Sequence, residues 1–159
     1  MSGESTIGLT VNGTRRSVTV PSSMTLLEMV RGRLGMTGSK ECCSEGECGA
    51  CTMIVDGEPV NSCLILAGEA DGAVITTIEG IGNGGMTRLQ ASFLEAGAVQ
   101  CGFCIPGMVV AASALLERIP DPTMTDVQEG LSGNLCRCGG YSRICAAVIS
   151  SVTRGDTDD

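Results

Sequence analysis

Over the first eighty positions apolar and polar residues alternate with a period of two, the pattern of strands that turn one face to a core. Ile7, Leu9 and Val11 form one such run. Asn12-Gly13 is a type I′ hairpin signal, and Val18 and Val20 return before Pro21 ends the strand. Thr25 then stands three residues before Glu28 as a capping box and opens a short helix through Leu26, Leu27, Met29 and Val30. The stretch from Gly35 to Cys51 has no period and is rich in glycine and cysteine. A second hairpin, TMIVDGEPVNSC, turns at Asp56-Gly57, and AVITTIEG supplies one further strand. This order of elements predicts a small α+β domain over residues 1–81.

Ile81-Gly82-Asn83-Gly84-Gly85 reads as a linker, and beyond it the period becomes 3.6. Thr87-x-x-Gln90 caps a helix carrying Leu89, Phe93 and Leu94. Pro106 begins an apolar helix, Met108 to Ile119, which Pro120-Asp121-Pro122 ends. Thr125-x-x-Gln128 starts a third helix, and Ser142 caps a fourth that runs to about Val152. Four short helices over 86–153 predict a small four-helix bundle, and 154–159 read as a solvated tail.

Composition narrows the chemistry. The 159 residues include 18 acidic and 10 basic side chains, a net charge of −8, which argues against a nucleic-acid partner. No apolar run is long enough to span a bilayer, so no membrane role is expected. The N-terminal residues lack the basic and apolar regions of an export signal, which points to the cytoplasm. Histidine is absent, and with it His-based acid–base catalysis, His-activated nucleophiles and His metal ligands. Aromatic residues number only three, whereas cysteines number ten. In a reducing compartment clustered thiols serve as metal ligands more often than as disulfides; five disulfides would be the reading for a secreted chain.

The cysteines fall into two groups. Cys43-x4-Cys48-x2-Cys51, followed by Cys63, has the plant-type [2Fe–2S] spacing. Gly46, Gly49 and Ala50 let backbone N–H groups approach the sulfurs closely. Glu45 and Glu47 lie inside this loop and Lys40 just before it; acidic charge near a cluster lowers its potential. A triplet with one distant partner fits poorly with the paired knuckles of structural zinc sites. Cys42 is a bystander thiol or a substitute for Cys43. In the second group Cys101-x2-Cys104 and Cys136-x-Cys138 make two knuckles whose spacing admits zinc as well as iron–sulfur, with Gly102, Gly133, Gly139 and Gly140 around them. Cys145 lies within a helical pattern and reads as a small buried residue.

Together the runs KECCSEGECGACTMIVDGEPVNSC, VQCGFCIPGMV and GNLCRCGGYSRI resemble the iron–sulfur subunit of the molybdenum hydroxylases, the xanthine dehydrogenase and aldehyde oxidoreductase family, from about Ile7 to Val152. The resemblance implies an N-terminal β-grasp domain holding one [2Fe–2S] cluster on Cys43, Cys48, Cys51 and Cys63. It implies a helical domain holding a second cluster on Cys101, Cys104, Cys136 and Cys138. It also implies a glutamine, Gln100, in contact with molybdopterin. By the same resemblance the chain carries no catalytic residue. It passes electrons from a molybdopterin cofactor, expected as the cytosine dinucleotide, on a large subunit to FAD on a medium subunit, in a heterotrimer or a dimer of heterotrimers. The KECCSEGECGAC stretch looks nearest to subunits serving N-heteroaromatic hydroxylation of purine or pyridine type. A free two-cluster ferredoxin, a zinc-holding module, or a hydroxylase of aldehydes, carbon monoxide or aromatic thioesters are the competing readings. Two departures from the family pattern stand out: Cys42 where Gly is usual, and Ile105 where Thr is frequent.

Overall fold

The computed structural model describes residues 3–153, so the tail expected at 154–159 lies outside the described residues. Strand β1 (Glu4–Val11) pairs antiparallel with β2 (Thr14–Pro21) across the Asn12-Gly13 turn, whose φ angles of 49° and 75° are those that Asn and Gly tolerate best. β3 (Thr52–Val55) and β4 (Glu58–Asn61) form the second hairpin, again with positive φ at Asp56 and Gly57. β5 (Val74–Thr76) completes a five-stranded sheet of order β2-β1-β5-β3-β4. The central strand, β5, pairs parallel with β1, and the other pairs are antiparallel.

Helix α1 (Leu26–Glu28) opens on the expected Thr25 capping box and continues as one π-helical turn over Met29–Arg33. It lays Leu26, Leu27, Met29 and Val30 onto the sheet face formed by Ile7, Leu9, Val11, Met53 and Ile75, and this is the first core. Neither the π turn nor the 3-10 turn over Ala67–Ala70 has a sequence signal of its own, because both are set by packing against this core.

In the second half, α2 (Arg88–Glu95) has the expected Thr87–Gln90 capping box. Helix α3 (Ile105–Arg118) begins three residues before the predicted Met108, with Pro106 in its first turn, where a missing N–H costs nothing. Two predicted starts are corrected. α4 (Met124–Gly130) is capped by Thr123 with Asp126, not by Thr125 with Gln128. α5 (Tyr141–Thr153) begins one residue before Ser142, so Ser142 lies inside the helix. The four helices share a second core around Phe93, Met108, Leu115, Val127, Ile144 and Val148.

The two cores touch. Ile54 on β3 packs against Val110 and Ala114 of α3, with Ile78 and Ile81 against them. Ile81, expected in an open linker, is therefore partly buried. Just upstream, the Asn12 side chain accepts the N–H of Thr77 at 2.9 Å and donates to its hydroxyl at 2.9 Å, tying the chain back to the first hairpin. Among the described residues no helix is long and apolar enough to cross a membrane.

Candidate iron–sulfur centres

The first group sits on a loop that closes where Lys40 N–H donates to Ala50 O at 2.9 Å. The loop turns sharply enough to require positive φ at Ser44 (54°), Gly46 (80°) and Gly49 (67°). Its outer bend is covered by Leu64 and held by Asn61, which donates to Gly46 O at 2.6 Å. Cys63 enters from the chain just after β4, so a distant residue faces the triplet.

The thiols meet in pairs: Cys43 with Cys48, and Cys51 with Cys63. Cys43 accepts the N–H of Glu45 at 3.5 Å, and the Glu45 and Cys48 amides together hold its pKa down to about 6. That favours the thiolate, the form that binds iron. Burial pushes Cys51 up to about 11, with the Cys63 thiol adding to the rise. Cys42 is exposed and its thiol also reaches Cys48, which raises its pKa. The side chains of Glu41, Glu45 and Glu47 are exposed around this loop, whereas the Lys40 ammonium turns back to Thr37 O at 2.9 Å.

The second group forms where two helices begin. Cys101 and Cys104 lead into α3, and Cys136 and Cys138 lead into α5, with Gly102 and Gly139 at φ 82° and 74°. Again the thiols pair, Cys101 with Cys138 and Cys104 with Cys136. Burial pushes Cys104 up to about 12. Burial also acts to raise Cys136, but amides led by Gly140, together with the Cys104 thiol, outweigh it and lower the pKa. The Phe103 amide lowers Cys101. Cys136 is buried while Cys101 and Cys138 are exposed, so one edge of this site faces outward. Gln100, next to Cys101, is exposed on that edge. Cys145 is buried within α5, as its helical pattern predicts.

In both sites the thiols of the spacing pattern meet in pairs, with Cys42 as an extra neighbour of Cys48 at the first. Two irons with two thiolates each suit that arrangement better than one tetrahedral zinc. The sites are neighbours: a cavity of about 550 Å³ is lined by Cys42 and Cys48 of the first group and by all four cysteines of the second.

Two contacts in this region involve residues with no sequence signal of their own. Tyr141 Oη accepts the N–H of Cys136 at 2.7 Å. Asn134, nearly buried, donates to Gly49 O at 2.9 Å and to Thr52 Oγ1 at 3.1 Å. Both residues stand inside the GNLCRCGGYSRI run, so the motif points to the region without saying what either side chain touches.

The fold and the two four-cysteine sites define a protein with two iron–sulfur domains. Residues 9–75 match the family described as 2Fe-2S iron-sulfur cluster binding domain, and residues 77–149 match the [2Fe-2S] binding domain. The chain is 52% identical over 150 residues to the nicotinate dehydrogenase small FeS subunit of Eubacterium barkeri, covering 94% of this chain and 96% of that one. It is 46% identical to the nicotine 6-hydroxylase small subunit of Paenarthrobacter nicotinovorans, over 91% of this chain and 88% of that one. Among solved structures, quinoline 2-oxidoreductase from Pseudomonas putida 86 superposes with a TM-score of 0.91 at 42% identity, covering 95% and 94% of the two chains. The aldehyde oxidoreductase of Desulfovibrio desulfuricans ATCC 27774 superposes with a TM-score of 0.89 at 40% identity, but there the match covers 92% of this chain and only 17% of that one. The chain belongs to the iron–sulfur subunits of the molybdenum hydroxylase family. It is thus the electron-transfer component of an oxidoreductase complex.

Proposed function

We propose that Cys43, Cys48, Cys51 and Cys63 hold one [2Fe–2S] cluster and Cys101, Cys104, Cys136 and Cys138 the other, in a heterotrimer with a molybdenum-binding large subunit and an FAD-binding medium subunit. The domain boundary of this reading falls between a β-grasp unit, 1–81, and a helical bundle, 86–153. The observation that carries it is the pairwise meeting of four thiols at each of two sites that border one cavity. When bound, the clusters supply one-electron relay between a two-electron oxidation at molybdenum, carried by molybdopterin as its cytosine dinucleotide, and the flavin.

The chain's own residues do the rest. Backbone amides at Glu45, Cys48, Phe103 and Gly140 stabilise thiolates, and Leu64 covers the outer bend of the first loop. Gln100 and the exposed Cys101–Cys138 edge face the molybdenum subunit, with Gln100 contacting the pterin. The Cys43–Cys51 loop faces the flavin subunit. Relatives named for nicotinate, nicotine and quinoline support an N-heteroaromatic substrate for the assembled enzyme, bound outside this chain.

Metal analysis of the complex purified from its source tests this reading. About four irons per molybdenum, without zinc, is the expected result. Iron without molybdenum would favour a free ferredoxin, and stoichiometric zinc would overturn the assignment of the thiols. Turnover with pyridine and purine substrates but not aldehydes would sharpen the substrate class; the reverse would correct it.

A further inference from the structure

The contact between the two cysteine loops does more than join them. Leu135 N–H donates to Cys48 O at 2.9 Å, and the Asn134 side chain donates to Gly49 O at 2.9 Å. Two successive carbonyls of the first ligand loop are thus gripped by two successive residues just before Cys136. Gly49 O also accepts from Thr52 N at 3.1 Å and from Thr52 Oγ1 at 2.7 Å, and Thr52 Oγ1 in turn accepts from Asn134.

The grip is tight. A Cβ on Gly49 would lie 2.4 Å from Gly133 O and 2.6 Å from Asn134 Nδ2, and a Cβ on Gly107 would lie 2.3 Å from Gly49 O. No peptide bond in the described chain is cis. In a planar trans peptide the C=O and the following N–H point in opposite directions. Carbonyls of Cys48 and Gly49 turned toward Leu135 and Asn134 therefore turn the N–H groups of Gly49 and Ala50 the other way, away from the second loop. Neither N–H is used by a backbone carbonyl. Other amides of the same loop, those of Glu45, Glu47 and Cys48, donate to the Cys43 thiol, so the loop does turn N–H groups toward its sulfurs.

We propose that Asn134 is a positioning residue for the first cluster: from the ligand loop of the second site it fixes the Gly49–Ala50 peptide so that its N–H donates to cluster sulfur. This rests on the ligand reading above. Hydrogen bonds to cluster sulfurs stabilise the electron-rich reduced form and raise the potential. Asn134 thereby holds the first cluster's potential up while leaving the second cluster's own donors unaltered.

The test is an EPR-monitored redox titration of the assembled complex carrying Asn134→Ala or, separately, Thr52→Val. Asn134→Ala is expected to keep about four irons per chain and to lower the midpoint of the first cluster, with the second unmoved. Thr52→Val removes the hydroxyl that braces Asn134 and should lower the same midpoint by less. Unmoved midpoints in both variants, or two clusters shifting together, would overturn the proposal. If Asn134→Ala instead loses half its iron, Thr52→Val decides: a lowered first midpoint at full iron supports the proposal, and an unmoved one overturns it. A Cys48→Ser complex that keeps about four irons would overturn the ligand reading itself, a different failure from an unmoved midpoint.

Discussion

The two cysteine sites reach the same chemistry by opposite means. The first is built mainly by one loop, whose path depends on three residues at positive φ and on Leu64 and Asn61 to cover and hold its bend. The second is built by two helix starts, with Cys136 inside the second core and Cys104 packed against it. A loop site is shaped by backbone conformation, so it is sensitive to any group that grips its carbonyls. A helix-start site is shaped by how two rigid helices pack, so it is sensitive to the core beneath them. The surroundings differ in sign as well: glutamates stand exposed around the first loop, while the exposed Arg137 lies between Cys136 and Cys138. Acidic surroundings disfavour the added electron, and a nearby cation favours it.

The largest effect comes from removing a ligand at one site and its counterpart at the other. Cys48→Ser should leave about two irons per chain and abolish flavin reduction while molybdenum is still reduced by substrate. Cys136→Ser should also leave about two irons but should block reduction of the remaining first cluster by substrate. Iron analysis and EPR of the complexes check both; flavin reduction surviving in Cys48→Ser would break the assigned order of the sites. Next is Gly49→Ala, which places a Cβ against Gly133 O at a residue with φ 67°. Strain of about 1–3 kcal/mol is expected, read as earlier thermal bleaching of the first centre than of the second. Tyr141→Phe should act in the other direction. It strips the acceptor from Cys136 N–H at a cost of about 1 kcal/mol, and a chelator should then draw iron from the second site faster, with the first unchanged. Smallest is Thr87→Ala, which removes the capping box of α2. It should cost about 1 kcal/mol of global stability without moving either EPR signal.

The element types were largely legible in the sequence because their signals are local. The turn at Asn12-Gly13, the caps at Thr25 and Thr87, and Pro106 in the first turn of α3 each depend on neighbours within a few residues. The cap of α4 was not decidable that way. Thr125-x-x-Gln128 fits the Ser/Thr-x-x-Glu/Gln pattern, whereas the box that forms, Thr123 with Asp126, does not. The chain uses the earlier one, in a register that buries Val127 and Leu131 against the second core. Ser142 failed as a cap for a related reason: α5 starts at Tyr141, whose ring hydroxyl reaches back to Cys136.

For the site, the cysteine spacing marked the two groups and, through the motifs, the family. The cysteine spacings report loop geometry, and loop geometry is local. What only the tertiary structure decided is the meeting of the two sites. Asn134 and Gly49 are 85 positions apart, and nothing within a few residues of either foretells that one will grip the other. That contact exists because Ile54 of the sheet packs against Val110 and Ala114 of α3, which brings Gly107 and the loop before Cys136 onto the Gly49 carbonyl. Side-chain packing between distant segments is a property of the assembled core, and no local window of the sequence contains it.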